Sequence, residues 1–223
     1  MVIDNVKLKT PHIRVPLSLF EDQRIKHPPC LLIYGELLNL EKKYSVINIG
    51  NEKLASLIGC KSITTVSKAV QELRQANYIA ITTHTSNKKS FRTIKTLVGI
   101  YKNKYISIPL EVVHLDGISN IDKLVLGIIY TNAFLNGDSA IISNKKIAKL
   151  LGRSTRQVIR IINKLKQLEY ITIEYPFEER HLNLNYDFFT SIQIQDDVEY
   201  WGYNGDDKVK PSDQTPNWLK EEL

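Results

Sequence analysis

Asn51-Glu-Lys-Leu-Ala-Ser-Leu-Ile-Gly59 is followed by Val66, Val70 and Leu73 at helical spacing, and then by Asn77-Tyr-Ile-Ala-Ile81. The same pattern returns as Asn144-Lys-Lys-Ile-Ala-Lys-Leu-Leu-Gly152, followed by Val158, Ile162 and Leu165 and by Glu169-Tyr-Ile-Thr-Ile173. Matched positions lie 93 residues apart before the glycines and 92 apart after them, so one residue inserted between Gly59 and Val66 reconciles the two registers. Each copy reads as a short helix, a tight turn, a longer helix and a strand, because the apolar period switches from 3.6 to 2 after the second helix. In a chain of 223 residues, a period of about 90 divides the protein into two similar domains, each large enough for a modest core.

Working outward, Gly59 and Gly152 are the left-handed residues expected where a helix stops and the chain turns sharply. Ser154-Thr-Arg-Gln157 reads as a capping box for a helix whose buried stripe is Val158, Ile161, Ile162, Leu165 and Leu168. In the first copy Ser62 or Thr64 caps a helix with inner face Val66, Ala69, Val70, Leu73 and Ala76. Upstream, long helices over about Pro29–Glu41 and Asn120–Leu135 bury Leu31, Leu32, Tyr34, Leu37 and Leu38, and Leu124, Val125, Ile128, Ile129 and Tyr130, with Ser119 or Asn120 capping the second. Each is preceded by an extended stretch ending in proline, Ile13-Arg-Val-Pro16 or Ile106-Ser-Ile-Pro109, which reads as a strand leading into a short helix.

Downstream, Tyr78–Thr83 and Phe91–Val98 flank a polar tip, His84–Ser90, whereas Tyr170–Tyr175 and Arg180–Asn185 flank Pro176–Glu179. The expected fold class is therefore α+β, mostly helical, with two tandem winged helix-turn-helix domains from an internal duplication. Domain 1 covers residues 1–99 with its wing at about 78–98, and domain 2 covers 100–195 with its wing at about 170–185. Gly99–Lys104 is the only space between the repeats, and 196–223 is an acidic tail.

Charge supports a polyanionic partner. The net charge is +6, but the tail holds eight acidic residues against three lysines, leaving residues 1–195 with 27 basic and 16 acidic residues, or +11. No apolar run approaches the length of a membrane helix, and Met1–Lys7 lacks the basic-then-apolar pattern of a secretory signal, so a cytoplasmic protein is expected. Cys30 and Cys60 have no Cys or His partner at metal-ligand spacing and read as small packing residues; no metal or cofactor is expected.

With the apolar stripes buried, the second recognition helix presents Thr155, Arg156, Gln157, Arg160, Asn163 and Lys164, preceded by Arg153 in the turn. These are donors suited to guanine edges, adenine edges and phosphates, which makes duplex DNA the expected partner. The first recognition helix presents Thr64, Thr65, Ser67, Lys68, Gln71, Glu72, Arg74 and Gln75, a less basic set, and Lys88, Lys89 and Arg92 on its wing supply compensating charge. The second wing carries Glu178 and Glu179 near its tip, so domain 1 leans on its wing and domain 2 on its helix. Because the two helices differ, one chain should read a non-palindromic, two-part site.

Catalysis has little to stand on. His12, His27, His84, His114 and His181 are scattered, and no Walker loop, Gly-x-Ser-x-Gly or His-Glu-x-x-His occurs. A strand-nicking initiator would need a tyrosine beside a His-x-His metal site, which is absent from the sequence. In the tail, Pro216-Asn-Trp-Leu219 places Trp218 and Leu219 in an acidic setting, a candidate anchor for a host replication or conjugation protein.

The paired Leu-Ala-Ser-Leu-Ile-Gly59 and Ile-Ala-Lys-Leu-Leu-Gly152 motifs, the helix ends in Tyr78-Ile and Tyr170-Ile, and the acidic Pro-x-Trp-Leu end resemble the tandem winged-helix proteins of low-GC Gram-positive plasmids, phages and conjugative elements. Replication initiators and DnaD-like replisome organisers belong to that group. The resemblance covers roughly residues 11–190. It implies major-groove reading by Thr64–Gln75 and Thr155–Lys164, phosphate tracking by the wing around Lys88–Arg92, and a role in replication initiation or its control. A transcriptional repressor of plasmid or conjugation genes is the alternative of the same class, and a winged-helix protein adaptor that binds no DNA is the alternative of another.

Overall fold

The computed structural model describes residues 12–44, 46–86, 89–99, 105–136, 139–176 and 179–185. Along the first half run β1 (His12–Pro16), α1 (Leu17–Glu21), α2 (Pro29–Lys43), β2 (Ile47–Asn48), α3 (Asn51–Leu57), α4 (Ile63–Gln75), β3 (Ile79–Ser86) and β4 (Lys89–Thr96). The second half repeats that order with β5 (Tyr105–Pro109), α5 (Leu110–His114), α6 (Asn120–Leu135), β6 (Ser139–Ala140), α7 (Asn144–Leu150), α8 (Thr155–Gln167), β7 (Ile171–Glu174) and β8 (His181–Leu184). The architecture is α+β. The tail, including Trp218 and Leu219, and the stretch 100–104 lie outside the described residues.

Local chemistry explains the helix boundaries. Ser62, Ser143 and Ser154 each accept a hydrogen bond from the backbone N–H three residues on, and Ser119–Asp122 and Ser154–Gln157 form reciprocal capping boxes. Gly59 and Gly152 close the helices before the recognition helices with φ near +59° and +58°. At the far ends of the recognition helices, Asn77 and Glu169 adopt the same left-handed conformation, with φ of 61° and 59°, and the following Tyr78 and Tyr170 N–H groups return to Leu73 and Leu165.

Two strands are added to the expected elements, and two expectations are corrected. The sequence gives no sign of β2 or β6, because a two-residue strand is too short for an alternating pattern, yet each adds a third strand to its wing, in the orders β2-β4-β3 and β6-β8-β7. The first wing pairs out to Ser86 and Lys89, so most of the stretch assigned to a polar tip is strand; ladder hydrogen bonds need no buried face. Leu168 is 42% exposed, because it caps α8 beyond the buried stripe, and Ile161 and Tyr130 are half-buried.

The halves are joined by an antiparallel ladder of β1 and β5, with Arg14 opposite Ser107, flanked by Ile13 opposite Ile108 and Val15 opposite Ile106. Helix α2 packs behind β1 and α6 behind β5, and the two helices also touch each other. A side chain at Gly127 would collide with Ile108, so glycine lets α6 approach its strand. Lys123, fully buried on α6, donates from Nζ to Ile58 O at the end of α3 (3.2 Å) and to Val113 O of α5 (2.6 Å). Its ammonium thus ties the first half to the second, and burial pushes its pKa down.

Candidate nucleic-acid interface

Helix α8 turns Val158, Ile162 and Leu165 into the core, which leaves Thr155, Arg156, Ile159, Arg160 and Asn163 exposed. The exposed side chains of Arg153, Arg156 and Arg160 make no hydrogen bond or ion pair with another described residue, so their guanidinium groups are available to a ligand. Arg153, Gln157 and Arg160 line one open depression with Ile121 and Ile161, which brings three of the expected site residues together. Ile159 is 41% exposed amid these donors, and sequence pattern alone does not mark it, because an isoleucine beside a buried stripe is indistinguishable from part of it. Lys145, Lys146 and Lys149 on α7 are also exposed and extend the basic surface; amphipathic spacing alone does not single them out.

Two members of the expected set on α8 are otherwise engaged. Lys164 Nζ contacts the buried carboxylate of Asp122 at 2.7 Å and so anchors α8 to the first turn of α6. Gln157 Oε1 accepts from Ser154 N (3.1 Å) and Oγ (3.2 Å), which occupies the oxygen that a bidentate adenine contact would use.

In the first half, Thr64, Ser67, Lys68 and Gln71 are exposed on α4, while Thr65 is half-buried and its hydroxyl bonds Ser62 Oγ at 3.0 Å. Glu72, expected to face outward, accepts hydrogen bonds from the Lys26 and His27 N–H groups and pairs with the His27 ring. Burial pushes the Glu72 carboxyl up, but these donors hold it below its ordinary range.

Arg92, expected among the phosphate contacts, is placed as a clamp against the body of its half. It is half-buried, donating from Nε to Ile49 O (2.9 Å) and from an Nη to Asn51 Oδ1 (2.6 Å), and burial lowers its pKa. The second half repeats the device: Arg180 donates to Asn144 Oδ1 (2.6 Å) and Ile142 O (2.5 Å). In each case the planar guanidinium joins the wing to the start of the helix before the recognition helix. Arg180 was not singled out from the sequence, although Asn51 and Asn144 open both copies of the repeated motif. Lys88 and the side chain of Lys89 lie outside the description. The first wing carries an exposed, stacked cross-strand pair, His84 and Phe91, with ring centroids 5.0 Å apart.

No three His, Cys, Asp or Glu side chains among the described residues come together as a metal site. Cys30 is buried with its thiol pushed up by desolvation, and Cys60 is half-buried; both are free thiols. No helix among the described residues is long and apolar enough to cross a membrane.

Residues 116–171 match a family model described as a helix-turn-helix domain. The matched span contains α6, β6, α7 and α8 and ends at the first residue of β7, so the most basic part of the structure lies within a helix-turn-helix domain, which supports DNA binding. No curated protein matches the chain.

Proposed function

We propose that this chain is a sequence-specific, non-enzymatic duplex DNA-binding protein of the cytoplasm, made of two unlike winged helices derived by internal duplication. Base reading centres on Arg156, Arg160 and Asn163 of α8, with Thr64, Ser67, Lys68 and Gln71 of α4 reading a second, different half-site. Arg153, Lys145, Lys146 and Lys149 neutralise phosphates. One observation carries this reading: residues 144–167, which form the helix-turn-helix unit of the second half, hold eight basic residues and no acidic one. The resemblance to tandem winged-helix proteins of mobile elements supports replication initiation or its control as the process served.

The test is selection of duplexes from a random library by the full chain, followed by titration over a range of salt. With about six to ten phosphates neutralised, affinity should fall by roughly three to five orders of magnitude between 50 and 200 mM salt. A flat salt response, or no enriched duplex, rejects the reading in favour of a protein adaptor. Mapping bound sites across the host and element genomes separates the processes: repeated sites in an origin mark replication, and a single operator marks transcription.

A further inference from the structure

We infer that a single chain reads two half-sites that run in opposite directions along the duplex, sharing backbone geometry but differing in base sequence. The inference rests on the DNA-binding reading and specifies its ligand.

The argument begins in the ladder between the halves. Shifted by 93 residues, Ile13, Arg14 and Val15 correspond to Ile106, Ser107 and Ile108. The observed register pairs Ile13 with Ile108 and Val15 with Ile106. Exchanging the halves converts each of these pairs into the other and returns Arg14–Ser107 to itself. An antiparallel ladder with that property has a local two-fold axis through its middle pair.

The rest of each half follows the same operator. A Cβ at Gly35 would crowd Ile13 and Val15 of β1 and one at Gly127 would crowd Ile108 of β5, the counterpart of Val15, so each long helix sits close over its own strand at an equivalent glycine. The Arg92 clamp on Ile49 and Asn51 becomes the Arg180 clamp on Ile142 and Asn144, again with a shift of 93 in the accepting residues. The axis therefore relates α4 to α8.

Two recognition helices related by a two-fold axis can engage one duplex in the same way only if that axis coincides with a dyad of the sugar–phosphate framework. The half-sites must then run in opposite directions, as they do for a symmetric dimer. Domains related by translation would read direct repeats instead. The side chains break the symmetry: with the shift of 92, Thr64, Ser67, Lys68 and Gln71 correspond to Arg156, Ile159, Arg160 and Asn163. The ladder and the buried Lys123 bridge hold the two helices in one relation, so the spacing between half-sites is fixed as well.

The probe is the best duplex selected from a random 30-bp library by the full chain. Its two conserved blocks are assigned by their response to Arg156→Ala, which affects the block under α8. In one derivative the other block is reversed to make a direct arrangement; in a second, five base pairs are inserted between the blocks. Each change should weaken binding by tenfold or more. A second arm grafts the exposed α8 residues onto α4, as Thr64→Arg, Ser67→Ile, Lys68→Arg and Gln71→Asn. This variant should prefer a perfect palindrome of the α8 block over the parental site by at least tenfold. Equal binding to the direct arrangement, or a parental preference for it, overturns the inference and leaves DNA binding intact. A library that yields no enriched duplex rejects the DNA-binding reading itself and the inference with it.

Discussion

Between residues 144 and 167 the second half carries eight basic residues and no acidic one, whereas the matching unit of the first half, 51–75, carries four basic and two acidic residues. At one equivalent position the sign is reversed: Lys164 holds α8 to Asp122, and Glu72 holds α4 to the N–H groups that precede α2. Both contacts join a recognition helix to the start of the long helix, so the mechanical task is kept and its charge is inverted. The wing clamps, by contrast, are chemically the same in both halves. Contacts that fix backbone geometry repeat, and outward side chains that only a ligand would meet diverge. The wings diverge as well, with eight-residue strands in the first and four-residue strands in the second.

The largest effect expected from this asymmetry is on binding. Arg156→Ala with Arg160→Ala should cost about 1–3 kcal/mol per arginine on the cognate duplex, since exposed guanidinium groups early on a recognition helix suit bidentate base contacts. Lys88→Ala with Lys89→Ala should lower affinity for cognate and scrambled duplexes alike and reduce the salt slope by about two. Titrations on both duplexes decide the matter. Equal loss on both for the arginine variant would remove the division of labour between helix and wing.

Next in size is the element that the halves share. Arg92→Ala and Arg180→Ala should each destabilise the fold by about 1.5–3 kcal/mol, the range for hydrogen bonds to a charged group, and lysine should recover less than half of it because it lacks the planar fork. Denaturant midpoints measure this. If Arg92→Ala left stability unchanged and reduced the salt slope by about one, Arg92 would be a phosphate ligand and the clamps would not be equivalent.

A third comparison sets Glu111 on α5 against Ser18, its counterpart on α1. Glu111 is buried, its Oε2 has no hydrogen-bond partner, and burial raises its pKa from 4.5 to about 6. Because the folded pKa lies above the unfolded one, this group costs nothing below about pH 4.5. Stability is then lost as pH rises through 6, by about 2 kcal/mol in all. The stability of Glu111→Gln relative to the parent should therefore rise by that amount between pH 4.5 and 7.5. Asp22 in the first half acts in the opposite sense: Arg24 holds its carboxyl at about 2, so its contribution is present above pH 4 and lost as pH falls towards 2. A pH-independent difference between Glu111→Gln and the parent would show that the buried carboxyl does not titrate as its surroundings dictate.

How far this organisation could be read from the sequence depended on the length over which each signal repeats. Helices α4, α6 and α8 were legible because apolar residues recur over three or more turns and the serine caps mark their starts. Strands β2 and β6 were not, since two residues carry no period. For the interface, helical phase identified Arg156, Arg160 and Lys68 as outward, but phase does not say what else a side chain meets. Lys164, Gln157, Glu72 and Arg92 each find a partner on another segment or at a cap. Such pairings depend on tertiary placement, and only the recurrence of Asn51 as Asn144 hinted at one of them.

The smallest expected effect concerns Ile159, whose counterpart in the first half is Ser67. An isoleucine 41% exposed between Arg156 and Arg160 presents the apolar surface that suits a thymine C5-methyl group, whereas a serine hydroxyl does not distinguish that methyl. Replacing thymines in the α8 half-site by deoxyuridine, which lacks only the methyl, should weaken binding about two- to fivefold, in line with roughly 0.8 kcal/mol for one buried methyl-sized group. Ile159→Ala should bind the thymine duplex more weakly by a similar factor and no longer distinguish the two duplexes. The same replacement under α4 should have no effect in either protein. If deoxyuridine were tolerated in both half-sites, or if Ile159→Ala still preferred thymine, Ile159 would be only an exposed flank of the core stripe and the contrast between the two recognition helices would rest on their polar groups alone.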